Sequence, residues 1–267
     1  EIDYMRSKTD GLVVDVMRNP GGSVCLTNEV LRRFIPYPFR TVGDEFRPTW
    51  AVVQQFRYDF EDAFYYGATD TELLLLEAWL ADVETAYHEN RGRTGQIPVC
   101  GFSLDIQPLK DANGDPWGYD KAMIVLIDEF STSSADVFPS IIQDANRALM
   151  VGQATAGGGG LSMQSTLGLY SETAASMSIT LGVRPTARQA PGLPESDYIE
   201  NIGARPDIEL DIMTEVNLLN GGKPFVEGFT QAIVDHIERS RQPLTSQVPA
   251  GAGIPSASPK LLRGDRR

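Results

Sequence analysis

Residues 122–136 read Ala122-Met123-Ile124-Val125-Leu126-Ile127-Asp128-Glu129-Phe130-Ser131-Thr132-Ser133-Ser134-Ala135-Asp136. The first six are apolar without a break. A run this short and this apolar is expected to be a strand covered on both faces, as strands of parallel sheets are. Polar residues end it, a helix is expected from Ser133 to Asp144, and Ala148-Leu149-Met150-Val151 is the next short strand. Upstream, Gly11-Leu12-Val13-Val14-Asp15-Val16-Met17 is a second buried run that enters Asn19-Pro20-Gly21-Gly22, strong turn chemistry. Thr27 is expected to cap the helix that follows through Phe34, and Pro36 to stop it. Strand, turn and helix in this alternation predict an α/β fold with parallel strands and flanking helices.

Outward from these segments the signals weaken. Arg40 to Tyr66 is aromatic-rich without clear periodicity and reads as an irregular excursion or lid. Thr69-Asp70 caps a long helix with Leu73, Leu76, Trp79, Leu80, Val83 and Tyr87 on one face. Pro98 to Tyr119 is loop and turn. Strands are expected around Met163–Leu169 and Ser176–Val183, and an amphipathic helix over Phe225–Arg239. From Pro243 onward the chain is rich in Pro, Ser, Gly and Arg and is expected to be a disordered tail, 243–267, behind one domain, 1–242.

The 267 residues carry a formal net charge of -13, and no Lys/Arg-rich block offsets it. A surface this acidic repels phosphate backbones and anionic lipid, so nucleic acid and membrane are excluded as expected partners. No stretch approaches the roughly 18 apolar residues of a membrane span. The two cysteines, Cys25 and Cys100, have no second pair at metal spacing; they are free thiols or one disulfide, and do not decide the compartment. No metal and no cofactor is expected. Asp111, Asn113 and Asp115 imitate the start of a calcium loop, but Pro116 replaces the required glycine and Ala122 stands where a glutamate is needed. A polar turn is the better reading. Gly157 to Gly160 has no Gly-Lys-Ser/Thr after it for phosphate, and is expected to line a substrate cleft.

Three segments, in chain order, resemble the tail-specific (C-terminal-processing) serine protease family. Gly11 to Gly22 is similar to that family's strand followed by D-x-R-x-N-x-G-G, although Arg18 stands one residue later after Asp15 than usual. Val125 to Phe138, running on to Gln143-Asp144-Ala145-Asn146-Arg147-Ala148, is similar to the strand and helix of the nucleophile, S-A-S-A-x-E, with its Q-D-x-x-R-A exit. Glu200-Asn201-Ile202-Gly203-Ala204-Arg205-Pro206-Asp207-Ile208 is similar to the closing E-N-x-G-V-x-P-D-I. The resemblance spans roughly residues 5 to 240. It implies a ClpP/crotonase-like core, Ser133 as nucleophile, and peptide or unfolded protein as substrate. The N–H of Ser134 and one from the Gly21-Gly22 turn would converge on the developing oxyanion, where the helix dipole is positive. Read without the other segments, Ser133-Ser134-Ala135-Asp136 would be a capping box, S-x-x-D. Asp15 and Asp128 are expected to be structural.

The base is the discriminating residue. The lysine of the Ser–Lys branch falls on Gly158, and no lysine occurs between Lys121 and Lys223. The resemblance therefore points to the branch of tricorn and the chlamydial protease-like activity factor, which uses Ser, His and Glu, with Glu200 as the acid and Glu195 a weaker match. The histidine of that branch comes from a segment upstream of the opening strand. His88 and His236 read as exposed helix histidines, so the base is expected from an N-terminal domain or a partner chain. The resemblance further allows a homo-oligomer and an extracytoplasmic or secreted location. Two rivals remain at this level: a non-catalytic ligand- or peptide-binding module on the same fold, as in related retinoid-binding modules, and a crotonase-type acyl-CoA enzyme. The absence of basic residues near the glycine turn weighs against the second.

Overall fold

The computed structural model of the chain describes residues 1–166 and 174–241. In chain order its main strands are β1 (Gly11–Asp15), β2 (Gly43–Phe46), β3 (Gln96–Pro98), β4 (Ala122–Ile127), β5 (Leu149–Gly152), β6 (Ser162–Thr166), β7 (Ala174–Ser178), β8 (Thr180–Arg188), β9 (Ser196–Tyr198) and β10 (Ile208–Glu209). The helices are α1 (Ile2–Lys8), α2 (Val24–Phe34), α3 (Trp50–Tyr65), α4 (Asp70–His88), α5 (Ser134–Asp144), α6 (Glu215–Leu219) and α7 (Lys223–Arg241). The tail expected over 243–267 and the end of the strand expected at Met163–Leu169 lie outside the described residues.

The central sheet is parallel throughout, in the order β1-β4-β5-β10. β4 is its spine, and its alternating side chains divide the core in two. Met123, Val125 and Ile127 pack with Leu31 of α2, with Ile35 just after it, and with Val137, Ile141 and Ile142 of α5. Ala122, Ile124 and Leu126 pack on the other face with Phe225, Ala232 and Ile233 of α7. Met123, Ile124, Val125 and Ile127 have no exposed surface. Each therefore contributes about 1.5–3 kcal/mol of apolar burial. Phe34 and Phe138 meet edge-on at 6.2 Å, which ties α2 to α5 above the sheet.

A second, antiparallel sheet runs β9-β8-β2-β3, and β6 pairs with β7 as a hairpin. The stretch expected to be an irregular lid is ordered instead: it supplies β2 and the 16-residue helix α3, which Thr49 caps by accepting from Val52 N–H. Only Val52, Val53 and Phe56 of α3 are buried, against Val83 of α4 and Ile97 of β3. Tyr58, Phe64 and Tyr65 stay exposed, so aromatic residues fall on both sides of the helix and hide its period. In the first βα unit the cap is Ser23, whose hydroxyl accepts from Leu26 N–H, and the expected cap Thr27 lies inside α2. Cys25 and Cys100 form a disulfide between α2 and the segment after β3, closing the choice the sequence left open. Asp111 accepts from the N–H groups of Asn113 and Asp115, a polar turn as expected.

Candidate active site

Ser133 stands at the junction of β4 and α5, with φ 59° and ψ -124°. An L-residue with a β-carbon rarely adopts that conformation, and such strain persists only where the surroundings enforce it. Here they do. Ser133 N–H donates to Gly158 O at 3.0 Å, and the Thr132 N–H donates to Asn19 O at 3.0 Å. On the other side, the Asp136 and Val137 N–H groups both donate to Ser133 O, at 2.8 and 3.0 Å. The capping-box reading fails on the same geometry: the Ser133 side chain makes no cap hydrogen bond. Nor does the Asp136 carboxylate reach back; it accepts from Gly157 N–H and Gly158 N–H, both at 2.9 Å. Among the described residues the Ser133 hydroxyl has no partner.

The glycine turn lies directly against this junction. A β-carbon on Gly21, at φ +91°, would meet Ser133 Cβ at 2.6 Å and Ser134 N at 2.9 Å, so only glycine permits the approach. Gly21 N–H is held by Asn19 Oδ1 at 2.8 Å. The donors left over are those of Gly22 and Ser134, neither of which meets an acceptor among the described residues. The Ser134 hydroxyl donates to Gly22 O at 2.7 Å and locks the two segments together. Beside this turn opens a cavity of about 260 Å³ whose walls include Val14, Val16, Leu26, Val30, Phe34 and Phe138.

Glu200 follows β9. Its Oε1 accepts from Gly160 N–H at 2.7 Å, and both of its oxygens lie 3.1 Å from Gly182 N. Burial raises its pKa above the usual carboxylate range, against the pull of these N–H groups, and the nearby Asp136 charge adds to the rise. The run Gly157–Gly160 touches both Ser133 and Glu200. Its Gly158 carbonyl receives Ser133 and its Gly160 N–H grips Glu200, while Gly157 O accepts from Asn201 N–H at 2.9 Å. A β-carbon on Gly159 would meet Ile199 Cγ2 at 2.7 Å, and one on Gly160 would meet Thr180 O at 2.2 Å.

Neither histidine joins this group. His88 ends α4 on the surface, edge-on to Tyr87. His236 lines a different cavity, with Asn146, Arg147 and Asp207; burial, then Arg239 and Arg147, pulls its pKa down. Glu195 is exposed and outside the cluster. Asp15 accepts from Met17 N–H, and Asp128 Oδ1 accepts from Arg18 N–H at 2.8 Å, both turn-forming contacts. Among the described residues no group of His, Cys, Asp and Glu could hold a metal ion, and no helix is long and apolar enough to cross a membrane.

The model of peptidase family S41 matches residues 2–210, which contain both βα units and the Glu200 segment. The chain belongs to peptidase family S41. A protein of Chlamydia pneumoniae is 24% identical over 98% of this chain and 42% of its own length. A protein of Chlamydia trachomatis serovar D is 28% identical over 78% of this chain and 35% of its own. Among solved structures, mature CPAF complexed with lactacystin is 25% identical, with a TM-score of 0.70 over 89% of this chain and 46% of that one. Mature CPAF crystallised separately gives 24% and 0.71 over 90% and 46%. The S41 chain described here thus spans less than half the length of these relatives.

Proposed function

We propose that this chain carries the nucleophile half of an S41 serine endopeptidase, on a core of ClpP/crotonase type. The observation that carries the reading is Ser133: a strained backbone, an unengaged hydroxyl, and two unengaged N–H groups, of Gly22 and Ser134, beside it. Ser133 Oγ attacks the peptide carbonyl, and the oxyanion is received by those two N–H groups. Gly21 serves by its smallness rather than as a donor. The proton passes to a histidine supplied from outside these residues and then to the leaving amine, while Glu200 holds that imidazole in orientation. Burial suits Glu200 to the task, since a desolvated carboxylate gains most from a cationic imidazolium.

The apolar cavity lined in part by Gly22 and Ser134 is offered as the acyl-side pocket, since it opens beside the two N–H groups that would receive the oxyanion. An apolar side chain preceding the scissile bond would enter it, against Val30 and Phe138. A non-catalytic binding module on the same fold is the competing reading, and nothing in the geometry explains why such a module would hold Ser133 under strain. The deciding experiment is fluorophosphonate labelling of the full-length protein. Labelling lost in Ser133→Ala supports the enzyme; no labelling of the folded protein leaves the binding module.

A further inference from the structure

Glu200 is gripped by the N–H groups of Gly160 and Gly182, and those two groups have a common anchor. Leu161 N–H, one residue beyond Gly160, donates to Thr180 Oγ1 at 2.6 Å. That hydroxyl lies 2.7 Å from Asp44 Oδ2. Its oxygen already accepts from an amide, so its single proton is directed at Asp44. Asp44 also stands opposite Gly182 in the antiparallel register of β2 and β8. Both Asp44 and Thr180 are 3% exposed. Among the described residues, Asp44, Glu200 and Asp136 form no salt bridge with any lysine or arginine.

A buried carboxylate without a cation is costly, and a neutral acceptor would satisfy Thr180 at lower cost. That cost is explained if the acid does something a neutral group does not. We propose that Asp44 is a positioning residue of the active site: through Thr180 it orients the Gly160–Leu161 peptide and β8, whose N–H groups hold Glu200, and it adds a second negative charge beside that carboxylate. The inference rests on the role proposed for Glu200, because the charge is useful only where an imidazolium forms. Burial, opposed by the Thr180 hydroxyl and reinforced by the Glu200 charge, pushes the Asp44 pKa up to about 7. The charged groups facing it are Glu200, from the segment after β9, and beyond it Asp136 of α5. The added charge therefore appears only as pH rises through neutrality.

The test uses full-length protein and four variants: Asp44→Ala, Asp44→Asn, Thr180→Val and Glu200→Gln. Asparagine keeps an acceptor for the Thr180 hydroxyl and removes the charge; valine removes the hydroxyl and keeps the shape. Hydrogen exchange is read at the Gly160, Leu161 and Gly182 amides, alongside kcat, KM and the pH profile. Asp44→Ala and Thr180→Val are expected to speed exchange at Leu161 and Gly160, and to lower kcat by about 10- to 100-fold with KM little changed. Asp44→Asn is expected to keep wild-type exchange and most of kcat, and to shift the rise in kcat across neutral pH to lower pH, because a charge that favours the imidazolium is gone. Unchanged exchange in both Asp44→Ala and Thr180→Val, or wild-type kcat despite faster exchange, overturns the proposal. An unaffected kcat in Glu200→Gln refutes the role of Glu200 itself, and the exchange data then still decide whether Asp44 anchors the loop. Should Asp44→Ala fail to fold, Thr180→Val carries the same comparison.

Discussion

Replacing Ser133 with glycine and with alanine should separate strain from chemistry. At φ 59° and ψ -124° the position suits a residue without a β-carbon. A side chain held in such a region costs about 1–3 kcal/mol. Glycine removes that cost but loosens the unfolded chain, which takes back about 0.4–1 kcal/mol. Alanine keeps the β-carbon, and so the strain, and loses only a hydroxyl that bonds to nothing among the described residues. Ser133→Gly is therefore expected to be more stable than Ser133→Ala by about 1 kcal/mol, a Tm difference of about 2–4 °C in a domain of this size. At an ordinary position the order is reversed, with glycine the weaker by about 0.5–1 kcal/mol. Parallel urea titrations of the two variants give the answer, and neither variant should cleave peptide. If glycine proves the less stable, the backbone of Ser133 is not strained and the argument from enforced geometry to function collapses.

Other outcomes follow from the same contacts. In full-length protein, Ser133→Ala is expected to lower kcat by about a million-fold with folding intact; a folded variant that keeps most of its rate refutes the assignment. The chain alone is expected to be folded yet inactive on casein, since neither His88 nor His236 joins the Ser133 group, and supplying an upstream segment should restore turnover that Glu200→Gln then lowers; cleavage by the lone chain that vanishes in His88→Ala or His236→Ala would place the base within these residues. Asp44, with its pKa raised from 3.8 to about 7, favours folding below the lower value and loses that contribution as pH rises through the upper one. Asp44→Asn should therefore gain stability relative to wild type between pH 5 and pH 8, and denaturant midpoints that stay parallel across that range would contradict it. Reducing the Cys25–Cys100 bond, which joins residues 75 apart, should cost about 2–4 kcal/mol, read as a lower Tm in reductant that Cys25→Ser with Cys100→Ser reproduces.

What was legible in the sequence was local. The apolar run of β4 and the turn at Asn19-Pro20-Gly21-Gly22 announce their structure within a few residues, and two such units determine a parallel sheet. α3 was missed because Tyr58, Phe64 and Tyr65 put large apolar surface on the solvent side, which erases the helical period. Asp136 fits a capping box when Ser133–Asp136 is read alone, but its carboxylate spends itself on two amides 21 and 22 residues downstream, and no spacing rule reports that. Asp44 carried no signal at all. One acid between Gly43 and Glu45, in a chain with 36 acidic residues, acquires meaning only when the register of β2 sets it opposite Gly182.

The run from Gly157 to Gly160 also acts as a spacer of fixed length. One of its carbonyls receives the Ser133 amide and an amide two residues later grips Glu200, so the number of peptide units between them sets the gap between the two groups. Composition is then not the only constraint on the run. A fifth glycine inserted there would keep every conformational freedom of the segment and bring no side chain into collision, yet it would put the serine and the glutamate out of step by one residue.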